Sequence, residues 1–313
     1  MAELFPVIKK NDIRLNNIPL WLDARKKKDF SFVSHAHSDH IGRHKKILAS
    51  KETIRLFEYR IGKVSAIECE YNTPFTLWGK VFNCFPSGHI LGSVQILIED
   101  EIRLVYTGDI KLKTGLTTQK IEIKKCDGLI IESTFDDPRY IFPPLEEIQQ
   151  RIMEFISSTV KLGAVPLFYT YPLGKSQELM AMLGNLGFRM SVHPTIYEIS
   201  KIYEECGVPL KNYESLNFNR IKGKVFILPP SARVEFPKPV RTCILTGWAI
   251  DRNAKYRYRT DEAIPMSDHA DYNDLINYIS TANPQKVWVI NGAAKFIKYL
   301  KKKGFEAVSI TST

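Results

Sequence analysis

The chain has 313 residues, a formal net charge of +10, 44% hydrophobic residues and 25% charged residues. That is enough chain for one large domain or two smaller ones, with a core that needs no disulfide staples, and no apolar run approaches the ~18 residues of a membrane span. The first residues lack a basic start followed by an apolar block, so they do not read as a secretory signal, and five scattered cysteines with no C-x-x-C spacing point to reduced thiols in the cytoplasm and away from a cysteine zinc site.

The positive balance, with a pI near 9.2, suits a polyanion such as nucleic acid. A lysine-rich solvated face is the plainer reading of the same charge. "DARKKKD" (23–29) is the densest basic run, able to hold phosphates or to lie as an exposed loop. "FSFVSHAH" then begins as an apolar strand and runs into polar residues. Residues 94–110 read as two strands joined by an acidic turn, the second ending at Asp109. "GLIIEST" (128–134) reads as a buried strand ending at Glu132. Three strands thus deliver polar groups at their C-terminal ends, where loops of α/β layers converge on ligands.

"DDPRYIFPP" is turn-rich and marks a boundary. Beyond it, helix spacing over 145–160, a strand in "GAVPLFYTYP", a helix over 173–187, a strand in "RMSVHP" and a helix in "TIYEISKIYEECG" describe a compact α/β unit. "KVFILPP" and "RTCILTGWA" are later strands. The strand "KVWVI" (286–290) is flanked by amphipathic helices over 273–282 and 293–304. The reading divides the chain into 1–136, an inserted unit 137–240, and a return over 241–313.

The chemistry concentrates in "SFVSHAHSDHIGR" (31–43), where His35, His37, Asp39 and His40 fall within six residues. In extended backbone, side chains at i and i+2 point the same way, so His35 and His37 can grip one cation. Asp39 and His40, on the curl that follows, can face a second position, at the ~3.5–4 Å spacing of two-metal hydrolases. His89, between glycines in "SGHILG", is a candidate third nitrogen for the first position. Asp109 in "YTGDI" is the natural carboxylate bridge. His44 reads as a helix-face histidine and His193, before Pro194, as structural.

H-x-H-x-D-H, then G-H, then T-G-D resembles the metallo-β-lactamase superfamily, whose fold is an αββα sandwich. Asp23 in "LWLDA" resembles the aspartate that braces its histidine loop. Glu132 in "IIEST", "YPLGKSQEL" (171–179) and His269 in "MSDHADYNDL" resemble the acidic motif, the inserted cap and the second histidine motif of the β-CASP branch, which cuts nucleic acid. "LTGWA" followed by "SDHADY" is most like the compact ligase-associated exonucleases, DNA-repair relatives of Artemis and Apollo. The resemblance covers about Asp23 to Gly292 and implies an α/β fold of αββα type with an inserted β-CASP cap lying over the metals as a lid. One departure stands out. RNA-cutting members carry a histidine after the strand corresponding to "KVWVI", where this chain has Asn291. An amide oxygen is a poorer zinc ligand than imidazole.

The resemblance thus implies zinc at a first site of His35, His37, His89 and Asp109. A weaker second site, on Asp39 and His40 with Asp109 bridging, would take zinc, manganese or magnesium. The catalytic set is Asp39, Glu132 and His269: Asp39 orienting water, His269 protonating the leaving sugar oxygen while Glu132 orients it and keeps it charged. Lys175 and Ser267 are candidate phosphate contacts, Asp23 and Asn291 structural supports, and Tyr140, Phe142, Tyr169 and Tyr171 candidate base-stacking residues. The implied activity is a DNA exonuclease of repair with single-stranded DNA as its partner, no membrane, and a ligase or helicase as possible protein partners. The alternatives are an RNA-processing nuclease of the RNase J or cleavage-and-polyadenylation type, a small-molecule hydrolase of the lactamase or thioesterase kind, and a non-catalytic nucleic-acid-binding scaffold.

Overall fold

In a computed structural model of the protein, residues 6–9, 12–219 and 221–310 are described. The chain divides into two compact units: Met1–Pro138 with His269–Thr313, and Arg139–Asp268.

In the first unit, β1 (Pro6–Lys9), β2 (Asp12–Leu15), β3 (Trp21–Leu22), β4 (Phe30–Phe32), β5 (Lys46–Ala49) and β6 (Ser65–Glu68) form one sheet in chain order. Helix α1 (Lys51–Ile61) links β5 to β6. It starts at Ser50, whose hydroxyl accepts the Thr53 N–H, carries Glu52 in its first turn and stops at Gly62, φ +110°. Each device satisfies or complements the open backbone groups of a helix end.

A second sheet begins with β7 (Phe75–Leu77), β8 (Lys80–Pro86), β9 (Val94–Glu99), β10 (Arg103–Tyr106) and β11 (Gly128–Ile131). The second unit then follows as α2 (Leu145–Lys161), β12 (Val165–Tyr169), α3 (Lys175–Asn185), β13 (Arg189–Val192), α4 (Pro194–Glu205), β14 (Tyr213–Ser215), β15 (Lys224–Leu228), β16 (Val240–Leu245), α5 (Ala254–Tyr258) and β17 (Glu262–Ile264). On return to the first unit come α6 (Tyr272–Ala282), β18 (Lys286–Ile290), α7 (Ala294–Lys302) and β19 (Glu306–Ile310). The second sheet runs β19-β18-β11-β10-β9-β8-β7.

Period-two alternation assigns each face. Ile96, Ile98, Ile130 and Trp288 join Leu15, Leu22, Phe32 and Leu48 of the first sheet in one core. Their neighbours Leu97, Leu129, Ile131, Val287 and Val289 turn to the other face and pack on Leu275, Tyr278 and Ile279 of α6 and Phe296 and Leu300 of α7. Val33, Ile47 and Ala49 turn outward from the first sheet onto Phe57 of α1. Helix, sheet, sheet and helix therefore stack as an αββα sandwich, each sheet burying both faces.

The second unit is an α/β layer. Its sheet, β14-β13-β15-β12-β16-β17, is parallel throughout, and its central strands β12 and β15 read as near-continuous apolar runs, as strands covered on both sides do. The return to the first unit falls at His269, not at 241 as the sequence suggests. Strand β16 pairs onto β12 and β17 onto β16, which lengthens the second unit's sheet, a partnership that depends on long-range pairing. No helix among the described residues is long and apolar enough to cross a membrane. None of the five cysteines forms a disulfide.

Candidate metal centre

Strand β4 ends at Phe32, and the chain runs through Val33 and Ser34 into the histidine loop. Asp109 and Glu132 lie just beyond β10 and β11 rather than within them. Gly108 makes the first turn possible: its φ is +56°, and a Cβ there would come within 2.4 Å of Ser34 Oγ, a closeness open to glycine alone.

The loop, the 87–93 turn and the 107–110 turn bring four side chains together. His35 Nε2 lies 3.1 Å from His37 Nδ1, which lies 3.1 Å from His89 Nε2. Asp109 Oδ2 is 3.5 Å from His35 Nε2 and 3.6 Å from His89 Nε2. Donors at 2.0–2.2 Å around a tetrahedral zinc would stand about 3.3–3.6 Å apart, so these residues fit that ion. Hydrogen bonding sets the tautomer. Ser34 donates its hydroxyl hydrogen to Asp23 Oδ2, so its oxygen accepts from His35 Nδ1 at 2.9 Å. The Nε2 lone pair of His35 is left for a metal.

A second group shares the first. His40 Nδ1 donates to Asp23 Oδ2 at 2.8 Å, and its Nε2 stands 3.3 Å from Asp109 Oδ2 and 3.7 Å from Asp39 Oδ2. Asp109 is therefore placed between the two sets. Asp39 is exposed, while half-buried Asp23 completes a cluster with His35 and His40. Asp23 also accepts the Ser34 N–H at 2.7 Å and the Tyr106 hydroxyl at 2.7 Å, which makes it a brace spanning three segments.

A third cluster joins Asp109, Glu132 and His269. Glu132 stands 3.1 and 3.2 Å from His269 Nδ1 through its two oxygens, and is itself held by the Ile110 N–H at 2.8 Å and the Thr134 hydroxyl at 2.6 Å. His269 Nδ1 lies 3.9 Å from Asp109 Oδ2, and its ring meets the edge of Phe135 at 6.0 Å between centroids.

The charges differ among these groups. Burial holds the His35 pKa well below 6.5, with His40 and His89 adding to it and Asp109 opposing. For His40 burial also lowers the pKa, but Asp109 and Asp23 outweigh it and the net shift is well upward. Burial raises Asp109, yet His40 and then His269 hold it well below the usual carboxylate value. At neutral pH and without metal, His35 is neutral, His40 charged and Asp109 ionised.

The remaining expected residues are not members of these three clusters. Asn291 has a left-handed backbone, φ +54°, and its N–H donates to Ile310 O at 2.8 Å; its side chain is exposed. In the second unit Lys175, expected as a phosphate contact, is buried, and its Nζ bonds Asp268 Oδ1 at 2.6 Å. A lysine whose charge is already matched inside the fold is a poor open anion contact. Ser267 is half-buried. Tyr140 and Phe142 are buried, and Tyr169 packs in the core cluster of Phe226 and Leu228. Tyr171 is 62% exposed. His44 lies in a loop, not on a helix, where its Nδ1 accepts the Lys28 N–H. His193 caps α4 by accepting the Thr195 N–H. Ser34, Tyr106 and Thr134 were not legible as site residues. Each acts through one hydroxyl on a distant or neighbouring carboxylate, and no spacing marks that.

The family described as the zinc-dependent metallo-hydrolase RNA specificity domain matches residues 257–310. A protein of Opitutus terrae named "Probable DNA ligase" is 37% identical over 302 residues, which are 93% of this chain and 29% of that one. The chain thus spans less than a third of that relative. An RNase J-like protein of Methanocaldococcus jannaschii is 27% identical over 345 residues, 84% of this chain and 81% of that one. Endoribonuclease ysh-1 of Neurospora crassa is 29% identical over 157 residues, 48% of this chain and 18% of that one. The crystal structure of a protein of unknown function from Enterococcus faecalis V583 has a TM-score of 0.58 at 14% identity, covering 83% of this chain and 74% of that one, a likeness of fold alone. With a sandwich that gathers its histidines and aspartates at strand ends, and with these similarities in sequence, the chain is similar to the metallo-β-lactamase β-CASP family.

Proposed function

We propose that this chain is a metal-dependent exonuclease that degrades single-stranded DNA in DNA repair. One observation carries the hydrolytic reading: six separated segments bring together three metal-capable clusters, two of them sharing Asp109 and two sharing His35. The choice of DNA is supported by the similarity to a protein named as a DNA ligase over most of this chain, and by an asparagine at position 291, where RNA-cutting members of the family carry a histidine. By the same likeness a ligase is an expected partner, and a helicase of DNA repair is the other candidate.

His35, His37, His89 and Asp109 would hold a zinc ion, and Asp39 and His40, with Asp109 shared, a second divalent cation. Such ions supply an acidified water and offset negative charge on a phosphoryl group. Around them the chain's own groups divide the work. Asp23 locks His40 by its Nδ1 and, through Ser34, locks His35 as well, so both rings present Nε2. The exposed Asp39 carboxylate is free to turn toward an attacking water. Glu132 grips Nδ1 of His269 with both oxygens, which leaves Nε2 to carry a proton to the leaving sugar oxygen. Ile110 N–H and the Thr134 hydroxyl keep Glu132 from rotating away.

A second reading, RNA as substrate, is favoured by the RNA-specificity description of the family matching 257–310 and by the RNase J-like relative that aligns over most of both chains. End-labelled DNA and RNA strands of one sequence, incubated with zinc, manganese or magnesium and followed by product length, separate the two. Stepwise shortening of DNA ahead of RNA is expected. Faster loss of RNA would overturn the substrate assignment, and cleavage in mid-strand would overturn the exonuclease.

A further inference from the structure

The second unit carries a basic cavity that takes no part in the chemistry above. About 530 Å³ in volume, it is lined by Arg189, Lys222, Lys224 and Lys238 together with Phe218 and Asn219. Every one of these residues lies between 189 and 238, and none is a metal-ligand candidate. The cations are gathered by the sheet itself. Arg189 opens β13 and Lys224 opens β15, and the two are paired in register on adjacent parallel strands. Two like charges directly opposite on a sheet are unfavourable unless something compensates them.

Compensation from the protein is partial. Lys224 reaches the carboxylate of Glu214. Among the described residues, Arg189, Lys222 and Lys238 have no carboxylate within ion-pair distance. Four cations therefore face a cavity beside one carboxylate, and the field inside is positive. Lys222 and Lys238 are exposed and can reach a ligand. The apolar wall is firm: Phe218 is half-buried, stacked on Phe226 at 6.1 Å and 7° and set edge-on to Phe236 at 5.2 Å. Cations alongside an aromatic ring are the usual means of holding a single strand, the cations on its phosphates and the ring beneath a base. The cavity has the size of sites that hold small organic molecules, which suits one or two nucleotides of a strand.

We infer that this cavity, at the N-terminal ends of β13 and β15, is a binding site for the phosphate backbone of single-stranded nucleic acid, separate from the metal ligands. The inference rests on the nuclease reading for the identity of the strand, and its test does not require catalysis.

The experiment compares the full-length chain with Lys222→Glu/Lys238→Glu and with the neutral Lys222→Gln/Lys238→Gln. Binding of a fluorescent, cleavage-resistant phosphorothioate strand of about ten nucleotides is read by anisotropy over a range of salt. The charge-reversed protein should bind about tenfold more weakly, and the slope of log affinity against log salt should fall by roughly 1.4, two phosphate contacts on a single strand. The neutral variant should lose less. Both should melt at the parent temperature and hydrolyse bis(p-nitrophenyl) phosphate, which needs only the metal centre, at the parent rate. Unchanged strand affinity and salt slope in both variants would overturn the site. Competition by adenosine monophosphate as strong as by the strand would overturn a backbone site in favour of a nucleotide pocket. If the parent hydrolysed no bis(p-nitrophenyl) phosphate with any metal, the nuclease reading would fail while the anisotropy arm still decided the cavity's role.

Discussion

On the proposed reading, His269 and Tyr106 act by different routes. His269→Ala should leave metal content per chain unchanged, because its Nδ1 is taken up by Glu132, and should slow cleavage ~100-fold, the scale of a lost general acid. Unchanged turnover with metal retained would show that the Glu132–His269 pair only braces two strands. Tyr106→Phe removes the hydroxyl that holds Asp23, the carboxylate that in turn holds His40. Loss of such an outer partner should weaken the second cation by ~10–100-fold, and the first by less, because Asp23 reaches its ligand His35 only through Ser34. Metal titration by calorimetry reads both sites. The pH dependence of uptake should also split. His35 is already neutral, its pKa depressed, so the first site need displace no proton from it near neutral pH. His40 is raised, so a cation at the second site must expel its proton: below the raised pKa, affinity there should climb with pH and protons should be released on binding. A second-site affinity flat between pH 6 and 8, two values chosen to bracket the ordinary imidazole range, would contradict the charge assigned to His40.

At the scale of elements, the strand ends and their turns decide whether the donors meet. Gly108→Ala puts a side chain at φ +56° and within 2.4 Å of the Ser34 hydroxyl. The backbone term alone is about 1–2 kcal/mol, and the displaced Ser34 would loosen both Asp23 and His35. A lower melting temperature together with weaker zinc binding is expected, and a protein that kept both would mean the turn is more adaptable than its contacts indicate. Elements with strong local signals were readable in advance. The helix spacing over 145–160 matches α2, and the apolar runs around 94–110 and 128–134 match β9, β10 and β11. The short strands β1 to β3 and β5 to β7 escaped the same reading. Each is two to four residues long, too few to show a period, and exists because its neighbours supply the ladder.

For the whole molecule, a bound metal would add to the fold's stability. Buried imidazoles and carboxylates held in contact cost desolvation that a cation offsets, so a bound ion stabilises the folded state by mass action. At a free concentration a hundredfold above its dissociation constant the gain is about 2.7 kcal/mol. Removing metal with a chelator should lower the melting temperature by roughly 5–10 °C, and zinc should restore it. No shift on chelation would mean that the clusters hold themselves without an ion. The residue types and their local spacing, the H-x-H-x-D-H run, the apolar strands before it and the turn-rich stretch near 137, named candidate donors and a candidate boundary, and through the family resemblance the sandwich, because each motif is written in contiguous residues. The second boundary at His269, the burial of Lys175 against Asp268, the brace from Tyr106 to Asp23 and the pairing of Arg189 with Lys224 came only with the tertiary structure. They depend on which strands lie side by side, and that is settled by packing between residues tens of positions apart, where local sequence carries no record of the partner.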